Sequence, residues 1–512
     1  MLHAGFSEPE RATVRTSGPM ESPSLRAFAA AFTVLLVAGC SASGADGAAS
    51  QSAGGAGAAA GASNRGTSSG GATGAGGGAG ATSNATGGTP STAGGVGGGP
   101  GAGSASNLGG STTTAGRSPS SGSGGVSAAG AGGVAAGAPG AGGSIAGGAM
   151  NGSGGGPSGN DVAPKAGYLH TSGSKIVDWQ GNEVRLTGLS WFGMETSNYS
   201  PHGLWTRSLG AYLDQIKQLG YNSIRVPFCS QMFDAGSMPN SIDQNSNPDL
   251  IGLSPLQLLD KLVAGAKARG LKIILDRHRP DSGGQSALWY TNQYSEARWI
   301  ADWKMLATHF LGETTVVGCD LHNEPHDTAS WGDGSMTTDW RAAAERAGNA
   351  ILAINPQLLI IVEGVQNVAG TSYWWGGNLR GAATAPVELT VKNRVVYSPH
   401  DYPSSVSDQK WFHDASYPSN LAGVWHDAWG YLVDTNAAPV WVGEFGTTLA
   451  TDSDAKWLNA MASYIGSKQL SFAYWCWNPD SGDTGGILQD DWKTVNQNKQ
   501  SVLQPLFAPL IP

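Results

Sequence analysis

Aromatic and large aliphatic residues are nearly missing from Ser41 to about Pro164, where the chain is almost entirely glycine, alanine, serine and threonine. Such a stretch cannot bury enough apolar surface to offset its conformational entropy, so it is expected to be a disordered, low-complexity linker. Its irregular Gly-Gly-Ala and Gly-Ala-Gly runs also lack the strict period and the proline content of a collagen helix. Cysteine is scarce: beyond Cys40 there are only Cys229, Cys319 and Cys476, with no C-x-x-C pair, which argues against a structural zinc site. Three cysteines cannot all pair, so at least one is expected to be a buried thiol, while a single disulfide remains open. Positive charge is also short. Lys and Arg number 29 against 38 Asp and Glu, a net charge of -9, which argues against nucleic acid as the substrate, since phosphate binding needs clustered cations. A neutral polymer suits this balance better, and 18 tryptophans offer flat faces on which sugar rings can stack.

The chain has no apolar run long enough to span a bilayer comfortably; the stretch from Ala27 to Ala38, preceded by Arg26, instead has the charged start and short core of an export signal. It ends in Val37-Ala38-Gly39-Cys40, which resembles the lipobox of bacterial lipoproteins. That resemblance implies a lipidated Cys40 as the mature N-terminus, an extracellular or cell-surface location and a membrane contact made only through acyl chains. Residues before Met20 are unlike a signal start, which leaves the start open between Met1 and Met20, the latter with a short basic segment ahead of the apolar core. The resulting organisation is a leader over 1–40, the linker over 41–164 and a folded domain over 165–512.

Within 165–512, β-branched and apolar runs predict eight strands, near Val184–Met194, Ser223–Cys229, Lys272–His278, Val316–Asn323, Leu358–Glu363, Arg394–His400, Pro439–Glu444 and Ser471–Trp477. Helical spacing appears between several of them, over Pro255–Arg269, Glu296–Phe310, Asp339–Ile354, Leu421–Val433 and Asp454–Ser467. This alternation is what an α/β fold of the (β/α)8 barrel type requires. Upstream, Tyr168–His170 and Lys175–Asp178 flank a turn at Gly173 and read as a β-hairpin closing the barrel bottom.

Two glutamates end strand-like segments: Glu324 in V-V-G-C-D-L-H-N-E-P and Glu444 in A-P-V-W-V-G-E-F-G. A pair of carboxyls on separate strands is the minimal apparatus for hydrolysing a glycosidic bond, and their separation, which sequence does not give, decides between retention and inversion. Barrel active sites gather at the C-terminal strand ends. There the other predicted strands place Arg225, His278, Asn323, His400, Tyr402, Trp475 and Trp477.

The motifs I-R-V-P-F, I-L-D-R-H-R-P, D-L-H-N-E-P-H, Y-S-P-H-D-Y, W-V-G-E-F-G-T and Y-W-C-W-N-P-D-S-G-D-T-G-G-I-L, in this order, resemble glycoside hydrolase family 5, most nearly its bacterial cellulose-degrading endoglucanases. The resemblance implies a retaining double displacement with Glu324 as acid/base and Glu444 as nucleophile. It further implies Arg225 as the cation beside Glu444, Tyr402 as its hydrogen-bond donor and Asn323 on the sugar 2-hydroxyl. His278 and His400 would line the same subsite, and Trp475 would be the stacking platform, with Trp477 two residues on expected to share its face. The implied substrate is a β-glucan polysaccharide; no cofactor and no partner protein are implied, and the chain is expected to be a monomer.

His322 and His326 bracket Glu324 at a spacing that superficially suggests a zinc-binding helix, but Pro325 and the preceding apolar run make that segment strand and loop, so no metal is expected. Asp276 and Asp320 are expected to be supporting or structural carboxylates. Trp289-Tyr290, Trp331 and Trp374-Trp375 fall in loops after strands three, four and five, where about half would floor a cleft and half would pack, as large aromatics often do. Alternatives to a β-1,4-glucanase are a β-mannanase or mixed-linkage glucanase with the same chemistry, or a non-catalytic surface protein that binds glycans.

Overall fold

The computed structural model describes residues 160–512. The leader, Cys40 and the linker up to residue 159 lie outside the described residues.

The chain first forms a three-stranded antiparallel sheet from β1 (Leu169–Ser172), β2 (Lys175–Asp178) and β3 (Glu183–Val184), with Ser172 opposite Lys175 across the Gly173-Ser174 turn. Gly173 has φ of +55°, and a Cβ there would meet the Asn436 amide at 2.4 Å, so the turn needs glycine for both reasons. Then come β4 (Thr187–Ser190), β5 (Ser223–Cys229), β6 (Lys272–Arg279), β7 (Val316–Asp320) and β8 (Leu359–Glu363), a small hairpin of β9 (Asn367–Val368) and β10 (Thr371–Ser372), and β11 (Val395–Ser398). The set is completed by β12 (His400–Asp401), β13 (Trp441–Val442), β14 (Glu444–Phe445) and β15 (Ser471–Tyr474). Eight strands form one parallel sheet in the order β11-β8-β7-β6-β5-β4-β15-β13. The seam closes where Tyr397 bridges Val440 and where β12 pairs with β14, placing His400 opposite Glu444. This is the expected (β/α)8 barrel.

Strands such as β5 and β7 are buried along their whole length, because one face fills the barrel and the other meets helices. The inward residues Ile274, Val317, Leu359, Ile361, Val396, Trp441 and Ala473 form a separate apolar plug capped by Leu169 and Ile176 of the hairpin and by Ile511. The hairpin therefore closes the barrel bottom, as its position suggests. Above this plug the same strand faces continue, two residues at a time, into polar groups: Ile274 is followed by Asp276 and His278, and Ile361 by Glu363. The alternation that builds the core also aims the site.

The outer helices are α1 (Leu209–Gln218), α2 (Pro255–Lys267), α3 (Glu296–His309), α4 (Trp340–Leu352), α5 (Leu421–Trp425), α6 (Tyr431–Asp434), α7 (Asp452–Lys468) and α8 (Gln497–Leu503), with one π-helical turn over His426–Gly430 joining α5 to α6. Their starts follow from side chains: Ser254 makes a capping box with Gln257 ahead of Pro255, and Ser208, Ser295, Asp339 and Thr451 cap α1, α3, α4 and α7. Helix α1 is absent from the sequence-based set although Leu209, Tyr212, Leu213 and Ile216 are buried at helical spacing. Three predicted strands are interrupted: Val184–Met194 at Arg185-Leu186, which leaves Val184 in the hairpin sheet, and two others at Pro399 and at Gly443, where the Gly443 amide donates to the Pro399 carbonyl at 3.1 Å.

Residues 160–164, assigned above to the linker, lie against the barrel: Asn160 bridges Val391, and Val162 and Ala163 carbonyls accept from Arg394 and Gln357. Cys229, Cys319 and Cys476 are all buried free thiols. Among the described residues no helix is long and apolar enough to cross a membrane.

Candidate active site

The β5 side chain of Arg225 is fully buried and organises the upper end of the barrel. Its Nη1 donates to Glu444 Oε1 at 2.5 Å, its Nε to Asp320 Oδ2 at 2.9 Å, and its Nη2 to Asn323 Oδ1 at 2.9 Å, with Asp276 and Glu363 oxygens at 3.1 and 3.2 Å from the same nitrogen. Burial disfavours the charge, but Asp276, Glu444, Asp320 and Glu363 outweigh it and hold the guanidinium well above its ordinary pKa. The same burial lifts Asp276 and Asp320 to about 7 against the pull of Arg225, and raises Glu363 well above the usual carboxylate range. Near neutral pH these three carboxyls therefore retain protons among them.

Glu444 opens β14, just past the seventh barrel strand, and is held from two sides, by Arg225 on Oε1 and by the Tyr402 hydroxyl on Oε2 at 2.5 Å. Glu324 lies just past β7 with φ of +52°. That left-handed conformation is uncommon for a residue with a side chain, and here the Glu324 N–H is fixed by a 2.7 Å bond to Glu363 Oε2. Gly376 lets the neighbouring loop approach, since a Cβ at that position would lie 2.3 Å from the same Glu363 oxygen.

His400 links the two glutamates. Its Nδ1 is 3.1 Å from Glu324 Oε1 and 3.5 Å from Glu444 Oε2, and its Nε2 is 3.3 Å from Glu363 Oε1. Burial lowers its basicity, but Glu363 and Glu444 nearby, with the bonds to Glu324 and Glu363, reverse this and keep the ring protonated. His278 is the opposite case: burial drives it down to about 3, and its Nδ1 faces Asp276 Oδ2 at 2.7 Å. It is a neutral ring, and Trp475 stacks on it at 5.2 Å and 7°.

Oxygens of Glu324 and Glu444 lie within 4.8 Å of each other, and so do those of Asp276, Asp320 and Glu363. The cation already seated against the second group is Arg225, and protonated His400 stands within the first. A cleft of about 870 Å³ opens over the pair, walled by Phe192, Glu195, Trp374, Trp375, Trp475 and the Asp480–Asp483 loop. Closely spaced carboxyls, one anchored on a buried cation and the other reaching the cleft, suit nucleophilic displacement at an anomeric carbon with proton transfer to the leaving oxygen.

Comparison with known proteins agrees with this geometry. Residues 177–481 match the family described as cellulase (glycosyl hydrolase family 5). The chain belongs to glycosyl hydrolase family 5. An endoglucanase of Paenibacillus polymyxa is 57% identical over 360 residues, covering 69% of this chain and 91% of that protein. The major extracellular endoglucanase of Xanthomonas campestris is 42% identical over 354 residues, covering 68% and 72%. Among solved structures of the family, the catalytic domain of that Xanthomonas enzyme covers 66% of this chain and 99% of its own at 41% identity and a TM-score of 0.64. An endocellulase of Pyrococcus horikoshii in complex with cellotetraose covers 67% and 100% at 39% identity, also with a TM-score of 0.64.

Within this family 5 barrel, the structure brings Arg225, His278, Asn323, Glu324, His400, Tyr402, Glu444 and Trp475 together. Asn323 is buried beside Glu324, its Nδ2 without a protein partner. Trp477 is a correction. It does not share a face with Trp475, because β15 ends at Tyr474 and strand alternation stops with it; its ring is fully buried, edge-on to Tyr212 of α1 at 6.4 Å. Trp477→Ala is therefore expected to cost about 3–5 kcal/mol by leaving a core cavity. Trp475→Ala should instead raise KM while leaving the melting temperature close to wild type, so paired melting and kinetic measurements separate the two tryptophans.

The loop aromatics divide as expected. Trp374 and Trp375 line the cleft, whereas Trp289 is buried with its Nε1 on Glu296, and Trp331 donates to the Ala385 carbonyl. His322 and His326 do not converge: His322 faces Arg277 and the Ser286 carbonyl, and His326 stacks on Trp375 at 3.8 Å. Glu363 is the site residue that sequence reasoning passed over. Its signal was its place at the end of the fifth strand, the same signal that picked out Glu324 and Glu444.

Proposed function

We propose that this chain is an endo-β-1,4-glucanase that cleaves internal β-1,4-glucosidic bonds of cellulose or soluble β-glucan with retention of anomeric configuration. The observation that carries this reading is the spacing of Glu324 and Glu444. Retaining glycosidases hold their carboxyls about 5–5.5 Å apart and inverting ones about 6.5–9.5 Å apart, to admit a water. One His400 nitrogen reaches both carboxyls, at 3.1 Å from Glu324 Oε1 and 3.5 Å from Glu444 Oε2, and this close approach supports the former.

In the first step Glu444, held in place by Arg225 and Tyr402, attacks the anomeric carbon. Glu324 gives its proton to the departing glycosidic oxygen, and the sugar is left as an ester of Glu444. In the second step Glu324 takes a proton from water, which attacks the same carbon and releases Glu444. Charged His400 touches both carboxylates and offsets their mutual repulsion as the proton leaves Glu324. The free Nδ2 of Asn323 suits a donor to the sugar 2-hydroxyl, and Trp475, backed by His278 and Phe192, suits a stacking face. The chain's organisation into leader, spacer and barrel, with Cys40 as lipid anchor, would place the barrel outside the cell and let it reach polymer away from a membrane; the cysteine context and the spacer's composition support this.

The test is product release by the full chain from carboxymethyl cellulose, β-glucan and β-mannan, with product length and the anomer first released followed by NMR. Internal cleavage of the glucans with β-anomer appearing first is expected. A preference for mannan would move the substrate while keeping the chemistry, and binding without release would favour a non-catalytic glycan-binding protein. Immediate α-anomer would overturn retention.

A further inference from the structure

Glu324 has two oxygens and they face different ways. Oε1 meets His400 Nδ1 at 3.1 Å, and since that nitrogen also lies 3.5 Å from Glu444 Oε2, this oxygen is on the nucleophile's side. Oε2 accepts a 3.1 Å bond from Gln285 Nε2. Gln285 is the exposed member of the site, and it belongs to the loop after β6, away from the anchors of Glu444.

That loop is braced by groups that flank Glu324. The Ser286 carbonyl faces His322 Nε2 at 3.2 Å, the Ala287 carbonyl accepts from the His326 N–H at 3.2 Å, and Ser282 N–H donates to Gln231. The two histidines that mimic a zinc motif thus hold the loop, and their neighbour Trp375, stacked on His326, continues the cleft wall on this side. The Gln285 amide occupies Glu324 Oε2, the oxygen turned away from the nucleophile, so this bond has to exchange before that oxygen can reach a glycosidic oxygen.

We propose that Gln285 is a leaving-group-side sugar ligand: as substrate enters, its Nε2 moves from Glu324 Oε2 to a hydroxyl of the sugar to be expelled, freeing that oxygen to protonate the glycosidic bond. This rests on the retaining reading above. Gln285 would then recognise β-linked glucosyl units on the departing side, both as leaving group and as acceptor in the reverse transfer.

The experiment uses the full chain and its Gln285→Ala variant. The donor is 2,4-dinitrophenyl β-cellobioside, whose leaving group needs no acid and carries no sugar hydroxyl, and the acceptor is added cellobiose. Loss of one sugar hydrogen bond is expected to lower the ratio of transfer product to hydrolysis by about 3- to 10-fold. The kcat/KM for cellotetraose should fall by the same factor relative to that for the aryl substrate. An unchanged ratio in both measurements overturns the proposal, whatever the absolute rates. If the wild type releases the α-anomer first, the retaining mechanism fails instead; if it forms no transfer product, the cellotetraose-to-aryl ratio alone decides Gln285. A second variant, Gln285→Glu, puts a carboxylate beside Glu324, which otherwise faces His400, Glu444 and Tyr402. Like charge disfavours ionised Glu324, so the alkaline limb of kcat/KM for cellotetraose should move to higher pH; a stationary limb would remove the contact on which the proposal stands.

Discussion

Replacing Glu444 with glutamine is expected to lower kcat/KM on β-glucan by about 10⁴-fold or more, because the covalent route closes when its nucleophile is lost. Glu324→Gln is expected to cost about 10²- to 10⁴-fold, the range of general acid–base catalysis, with the loss shrinking on dinitrophenyl cellobioside, whose leaving group departs unaided. Small anions distinguish the two roles better than rates do. With Glu444→Ala, azide entering the vacated space should attack from the nucleophile's own face and give an α-glycosyl azide. With Glu324→Ala, azide should take the place of water at the glycosyl-enzyme and give the β-product. The opposite pairing would exchange the roles of the two residues, and wild-type rates in either variant would end the assignment. Neither glutamine substitution should lower the melting temperature much, since the Glu444→Gln amide oxygen can still accept from Arg225 while its NH2 donates to the Tyr402 hydroxyl, and Glu324 is partly exposed.

Much of this site was readable before any coordinates, for one physical reason. Parallel barrel strands are buried on both faces, so they stand out as apolar runs, and whatever polar residue ends such a run arrives at the same rim. His278 and Glu444 were located by that count alone, and Arg225, third in β5, as the one charge inside an otherwise largely apolar run. Trp477 was misplaced because the count was carried past Tyr474, where β15 has ended and the backbone follows loop contacts instead. Gln285 had no signal of this kind. Its position depends on how a loop is pinned by His322 and His326, and those bonds exist only once β6 and β7 stand side by side. The separation of Glu324 and Glu444 was illegible for a related reason: it is set by the run of pairings from β7 through β8 and β11 to β12 and β14, which joins residues far apart in the chain. Helix α1 was legible and was passed over, since its four buried residues keep regular helical spacing.

Arg225→Met is expected to destabilise the barrel by about 3–5 kcal/mol, the usual result of removing one partner from a buried ionic cluster, as well as abolishing measurable turnover. The methionine would fill much of the same space, so the loss would be electrostatic: Asp276, Asp320, Glu363 and Glu444 would share a dry site with His400 as their remaining cation. The pH dependence follows with a definite sign. Asp276 and Asp320 already bind protons more tightly when folded, with values near 7, than an unfolded aspartate at about 3.9 does. Groups raised in this way contribute stability that is fully present below the unfolded value and is lost as pH climbs through the folded one. Removing the guanidinium takes away the main force opposing that rise, so the folded values climb further. The gap in melting temperature between wild type and Arg225→Met should therefore be small near pH 5 and widen towards pH 8. Arg225→Lys supplies the control, because an ammonium restores the charge but not the fork that reaches Asp320, Asn323 and Glu444 together. It should recover most of the stability at pH 8 and little of the activity. A gap that stays constant with pH would mean that Arg225 supports the barrel through packing, and that the buried carboxyls are neutralised by something other than its charge.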